Sequence, residues 1–118
     1  EAIAKMIETK NAYPSDVGVA FQLGLLYYKK SSWAPAAAEF ERAILLNANY
    51  SNARYFLGLV YDRQGDKAKA IDQFEKVLAL NPDNQDIKTI IANLKAGKPA
   101  IPEVPKNPSE LPVNDTGQ

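Results

Sequence analysis

The sequence predicts an all-α fold: a short right-handed superhelical solenoid of antiparallel helix hairpins, followed by a proline-rich extended tail. Three observations carry this expectation. Leu-Gly-Leu-x-Tyr occurs twice, from Leu23 and again 34 residues later from Leu57. Within each copy, apolar residues recur at three- and four-residue intervals, the spacing of one helix face. After Ala96 the composition shifts abruptly to proline, which no ordinary helix or central strand accepts.

Length and composition narrow the classes. A chain of 118 residues suits one domain with a modest core. Fourteen basic and fourteen acidic residues cancel. That balance argues against nucleic acid, whose binders carry a basic excess, and against an anionic membrane surface. There is no cysteine, so no disulfide framework and no thiolate chemistry. This fits a reducing compartment such as the cytoplasm, or a soluble part of a membrane protein. No apolar run approaches the ~20 residues of a membrane span, so no direct membrane insertion is expected. The chain opens on Glu-Ala rather than Met, and reads as a fragment of a longer, bacterial-type protein.

Helices are expected near 1–12, 16–30, 33–47, 51–64, 67–80 and 84–96. Residues 17–50 align over 51–84 without a gap, with ten identical pairs: Leu23/Leu57, Gly24/Gly58, Leu25/Leu59, Tyr27/Tyr61, Ala34/Ala68, Ala36/Ala70, Phe40/Phe74, Glu41/Glu75, Leu46/Leu80 and Asn47/Asn81. Ungapped self-similarity at this period signals stacked units of two helices each. In the second unit, Ser51 is expected to cap the first helix through its hydroxyl. Gly65-Asp66 separates the two helices, and Asn81-Pro82 stops the second. In the first unit Ser31-Ser32 takes the place of Gly-Asp, and Pro35 falls in the first turn of its helix, where a missing N–H costs little. Gly24 and Ala36, like Gly58 and Ala70, would let paired helices approach. Tyr27 and Phe40, like Tyr61 and Phe74, would fill the larger gaps. Trp33, at the turn of the first unit, is expected to pack.

On these residues the sequence resembles the tetratricopeptide repeat family. The first unit supplies Leu23, Gly24, Tyr27, Ala36, Phe40 and Ala43. The second supplies Leu57, Gly58, Tyr61, Ala70, Phe74 and Pro82, with Val77 in place of the last small residue. Ala20 and Arg54 stand where the family places a large residue, and Ala48 replaces the terminal proline of the first unit. Ala2, Met6 and Pro14 precede Ala36, Phe40 and Ala48 by the same 34 residues. Residues 1–16 therefore resemble a partial repeat lacking its first helix. That leaves Ile3, Met6 and Ile7 partly uncovered, so self-association through this end is expected. Residues 85–97 resemble a capping helix carrying Ile87, Ile90, Ile91 and Leu94, capped by Asp83 or Asn84 and ended by Gly97. The repeat domain is thus assigned to 1–97 and the tail to 98–118.

Chemistry is sparse. Histidine is absent, and without Cys or His a metal would need carboxylates alone. No calcium-loop pattern and no glycine-rich phosphate loop occur, and no serine has a base beside it. Asp62, Asp66, Asp72, Asp83 and Asp86 are scattered among caps and polar faces. No catalysis, metal or cofactor is expected. The resemblance instead implies a protein-interaction module that binds a peptide or partner segment on its concave face. By helical spacing, the exposed concave positions should include Phe21, Leu25, Tyr28, Tyr55, Leu59, Asp62, Arg63 and Asn93, the alternative being that some of them, Leu25 and Leu59 above all, are buried between neighbouring helices. Apolar residues at most of them argue against the Lys/Asn clamp that some relatives use for acidic C-termini. A second reading is an oligomerisation or assembly element of a larger, membrane-bound protein such as a cell-surface polysaccharide polymerase.

In the tail, Pro99, Pro102, Pro105 and Pro108 recur every third residue, the period of polyproline II. The tail reads as a spacer or as a ligand for a groove. Ile101–Leu111 is expected to lie on a repeat surface, its own or a neighbour's, anchored by Phe21, Tyr28 and Tyr55.

Overall fold

The structure, a computed structural model, describes residues 1–101. These form six helices: α1 (Ala2–Ala12), α2 (Val17–Lys29), α3 (Trp33–Leu46), α4 (Ser51–Arg63), α5 (Lys67–Leu80) and α6 (Gln85–Lys95). Each packs chiefly on its neighbours in sequence, so the helices follow one another as a solenoid. All six lie where the periodicity places them, with ends displaced by no more than a residue or so.

The helix ends explain how the chain turns. Asp16, Asp66 and Asn84 each cap a helix, a side-chain oxygen accepting from the backbone N–H three residues on at 3.1 Å. Helices α2, α4 and α6 end on one shared device. The amides of Ser32, Asp66 and Lys98 reach back five residues to the carbonyls of Tyr27, Tyr61 and Asn93, at 2.9, 2.9 and 2.8 Å. This is the Schellman closure, which needs a left-handed residue just past the helix. Gly65 and Gly97 fill that place at φ 84° and 79°, and Ser31 does so at φ 58°.

One cap differs from expectation. Ser51 does not cap α4. Tyr50 holds the cap position without a side-chain cap bond, and Ser51 is the first helical residue. Its hydroxyl is buried with no hydrogen-bond partner among the described residues.

The core is aromatic and small residues make room for it. Phe40 of α3 lies against Gly24 of α2, and Phe74 of α5 against Gly58 of α4. Ala20, Ala36, Ala43, Ala53 and Ala70 are all fully enclosed. Phe56 joins the two units. Its ring stacks on Phe40 at 5.6 Å between centroids and meets Phe21, Tyr28 and Tyr55 at 5.0–6.0 Å. Trp33 packs edge-on to Tyr28 at 5.6 Å, under the Arg63 guanidinium at 5.3 Å.

Helix α1 is the outlier. It has no buried residue and packs on α2. Ile3 and Met6 are half-buried and Ile7 is exposed. Lys10 ties it to Glu39 of α3 at 2.7 Å, and Arg42 bonds both Glu39 and the Pro14 carbonyl.

Candidate functional site

Helices α2, α4 and α6 are the first helices of their units, and together they make the concave face of such a solenoid. On this face the expected open apolar strip is corrected. Phe21, Leu25, Tyr28, Tyr55 and Leu59 are all buried, the most accessible being Phe21 at 6%. The reason is ring length. Phe21 reaches Phe40, Tyr50 and Phe56, Tyr28 reaches Trp33 and Phe56, and Tyr55 reaches Phe56 and Phe74. Side chains of this size on adjacent helices fill the space between them rather than project from it. Arg63 is exposed, and Asp62 and Asn93 are half-buried.

Burial leaves three polar residues of this face unsatisfied. The hydroxyls of Tyr28 and Tyr55 and the amide oxygen of Asn52 are enclosed, with no hydrogen-bond partner among the described residues. Burial pushes both phenols well above their ordinary pKa. Arg63 partly opposes this at Tyr28, while Tyr28 and Asp86 add to it at Tyr55. Sequence reasoning missed Asn52. It stands seven residues before Leu59, two helical turns away on the same face. The signal was muted because its counterpart in the first unit, Gly18, has no side chain.

Asp62 and Asn93 meet over the chain's own backbone. After the turn at Gly97, the segment from Lys98 to Ile101 returns across the ends of α4 and α6. Asp62 Oδ2 accepts from the Ala100 amide at 3.0 Å, and Asn93 Nδ2 donates to the Ala100 carbonyl at 3.4 Å. Lys67 Nζ donates to the Lys98 carbonyl at 3.1 Å and pairs with Asp62 Oδ1 at 2.7 Å. Ala100 is 1% exposed and belongs to the apolar core, with Ile101 packed beside it. Of the stretch expected on a repeat surface, Ile101 alone is described; residues 102–111 lie outside the described residues. The hydrogen-bonding groups that hold Lys98 and Ala100 are Asp62, Asn93 and Lys67.

Among the described residues, no group of three or more acidic side chains stands close enough to hold a metal ion, and no helix is long and apolar enough to cross a membrane.

Comparison with known proteins fits this geometry. The sequence model of the tetratricopeptide repeat matches residues 21–85. Two solved structures, each described as a crystal structure of MamA, superpose with a TM-score of 0.78 at 29% identity over 81% of this chain. The matched region spans 56% of one MamA chain and 52% of the other, so this chain corresponds to about half of each. No curated protein sequence matches.

Proposed function

Because this chain belongs to the tetratricopeptide repeat family, whose fold generally serves protein–protein interaction, we propose that it is a non-catalytic module taking an extended partner segment on its concave face. One observation carries the reading: Tyr28, Asn52 and Tyr55 place three unsatisfied polar atoms on the helices of that face. An unpaired buried polar group costs about 1–3 kcal/mol. A partner backbone offers both donors and acceptors, so docking that parts the side chains enclosing these atoms would recover that cost. Aromatic side chains suit the task because they give large contact area with few rotamers to freeze.

The test uses isosteric changes. Tyr28→Phe with Tyr55→Phe removes both hydroxyls and leaves the ring packing intact. Proteins retained on the immobilised full chain would be compared, by quantitative mass spectrometry, with those retained on the double variant. Partners lost from a variant that melts no lower than the parent support the concave face as the binding face. An identical retained set on both chains places partner binding elsewhere.

A further inference from the structure

The bonds to Ala100 go beyond a chain end at rest. Both backbone groups of one residue are engaged, the N–H by Asp62 and the C=O by Asn93. Such main-chain pairing holds a segment whatever its sequence, and the surrounding space sets which side chains fit. Here that space is small, because Ala100 is 1% exposed. Pro99 brings no N–H that would need a partner, and its ring fixes its own φ before binding. Ile101 adds an apolar contact.

The polar set occurs once. One repeat earlier, the places of Asp62, Lys67 and Asn93 are held by Tyr28, Trp33 and Leu59. Lys67 also orients the clamp. By pairing with Asp62 Oδ1, it leaves Oδ2 turned to the Ala100 amide. The turn at Gly97 then fixes where the segment leaves α6, since Lys98 N–H is bonded to Asn93 O at 2.8 Å.

We propose that Asp62, Lys67 and Asn93 form a clamp for a short bent segment with a small residue between a proline and an aliphatic residue, and that Lys98–Ile101, which bends at Ala100 and Ile101, is its built-in occupant, competing with partner segments of the same chemistry. This rests on the reading of the concave face as the binding face. A segment tethered by a few residues acts at an effective concentration of order millimolar. A partner therefore meets a clamp that is mostly filled, and its apparent affinity falls by the fraction left open.

Ala100→Glu in the full chain tests this. A carboxylate beside Asp62, in a space that holds only a methyl group, expels the built-in segment. The probe is a synthetic peptide with the sequence of residues 98–104, titrated by NMR chemical shift so that weak binding is measurable. The Ala100→Glu chain is expected to bind it at least about tenfold more tightly than the parent. Adding Asn93→Ala should remove that gain. A peptide with leucine at the place of Ala100 should bind the released clamp at least about tenfold more weakly than the alanine peptide. Equal binding by parent and Ala100→Glu chains, or of the two peptides, overturns the proposal.

Amide exchange in the unaltered chain is independent of how well the variant folds. The Ala100 N–H should be protected, and exchange at the rate of a free peptide overturns the clamp. Either failure would leave partner loss in the Tyr28→Phe/Tyr55→Phe chain intact as evidence for the concave face, so the two readings fail separately.

Discussion

Gly58 and the Phe74 ring stand so close that a Cβ on Gly58 would lie 2.6 Å from the ring's Cε2, and a Cβ on Gly24 would lie the same distance from Phe40 Cε1. Both rings are fully enclosed, so neither has room to yield. Gly58→Ala gains helix propensity of up to ~1 kcal/mol, which opposes an overpacking cost of ~1–3 kcal/mol. Gly58→Leu adds far more volume for little further propensity, so it should unfold or badly destabilise the domain. Urea denaturation of Gly58→Leu is the primary measurement. A cycle with Phe74→Leu is the control: shrinking the ring should return part of the loss, with a coupling of ~0.5–3 kcal/mol. A Gly58→Leu midpoint equal to the parent's would contradict the close contact.

The buried tyrosines give stability a defined pH dependence. Tyr28 and Tyr55 have folded-state pKa values raised above the ordinary phenol value of 10.0, chiefly by burial. Tyr61 is raised in the same direction, first by burial and then by its hydrogen bond to Glu41. Above pH 10 the unfolded chain loses phenolic protons that the folded chain keeps, so it binds fewer protons and stability falls as pH rises. Below that pH the contribution is fully present. Melting temperatures from pH 7 to 11.5 should therefore decline above pH 10, and Tyr28→Phe/Tyr55→Phe should flatten the decline. A parent and variant falling in parallel would show that these two phenols are not the cause.

The architecture was legible because helix spacing and a 34-residue period are one-dimensional signals. Leu23/Leu57, Gly24/Gly58 and Phe40/Phe74 carry the packing pattern in the order in which it is used. The binding face was less legible. Helical spacing assigns Phe21, Tyr28 and Tyr55 to a face, but it does not say whether rings on adjacent helices fill the space between them. Phe56 shows the difficulty. Its counterpart one repeat earlier is Gln22, so the repeat pattern conceals the ring that joins the units. The approach of Asp62 and Asn93 to Ala100, and of Lys67 to Lys98, joins residues up to 38 apart, and nothing local announces it.

Caps that look alike in sequence should respond differently to alanine. Asp66 Oδ1 accepts from Lys69 N at 3.1 Å, so Asp66→Ala should cost about 1 kcal/mol. Ser32 makes no side-chain cap bond, and Ser51 lies inside α4 with an unpaired buried hydroxyl. Ser32→Ala should stay within about 0.5 kcal/mol of the parent, and Ser51→Ala should be neutral or stabilising because it removes a desolvated group without losing a bond. Chemical denaturation of the three variants decides the matter. A loss of about 1 kcal/mol in Ser51→Ala would restore the hydroxyl as a cap.

The least stable element should be α1. It buries no residue fully and rests on α2, while the ties beyond that helix are the Lys10–Glu39 pair and the Arg42 contact behind it. Lys10 is about one-third exposed, so that pair is screened and worth ~1 kcal/mol or less. Local opening follows low burial rather than helix length. Amides of residues 5–12 should exchange faster than those of α3 or α5, and Ile7→Lys should change global stability by less than ~0.5 kcal/mol. The same half-covered edge gives self-association a specific signature. A second copy docking on Ile3, Met6 and Ile7 would slow exchange in α1 as concentration rises and would shift sedimentation together with it, and Ile7→Lys would abolish both changes. Exchange in α1 that is independent of concentration, with a sedimentation coefficient to match, would show that this edge does not join two copies of the chain.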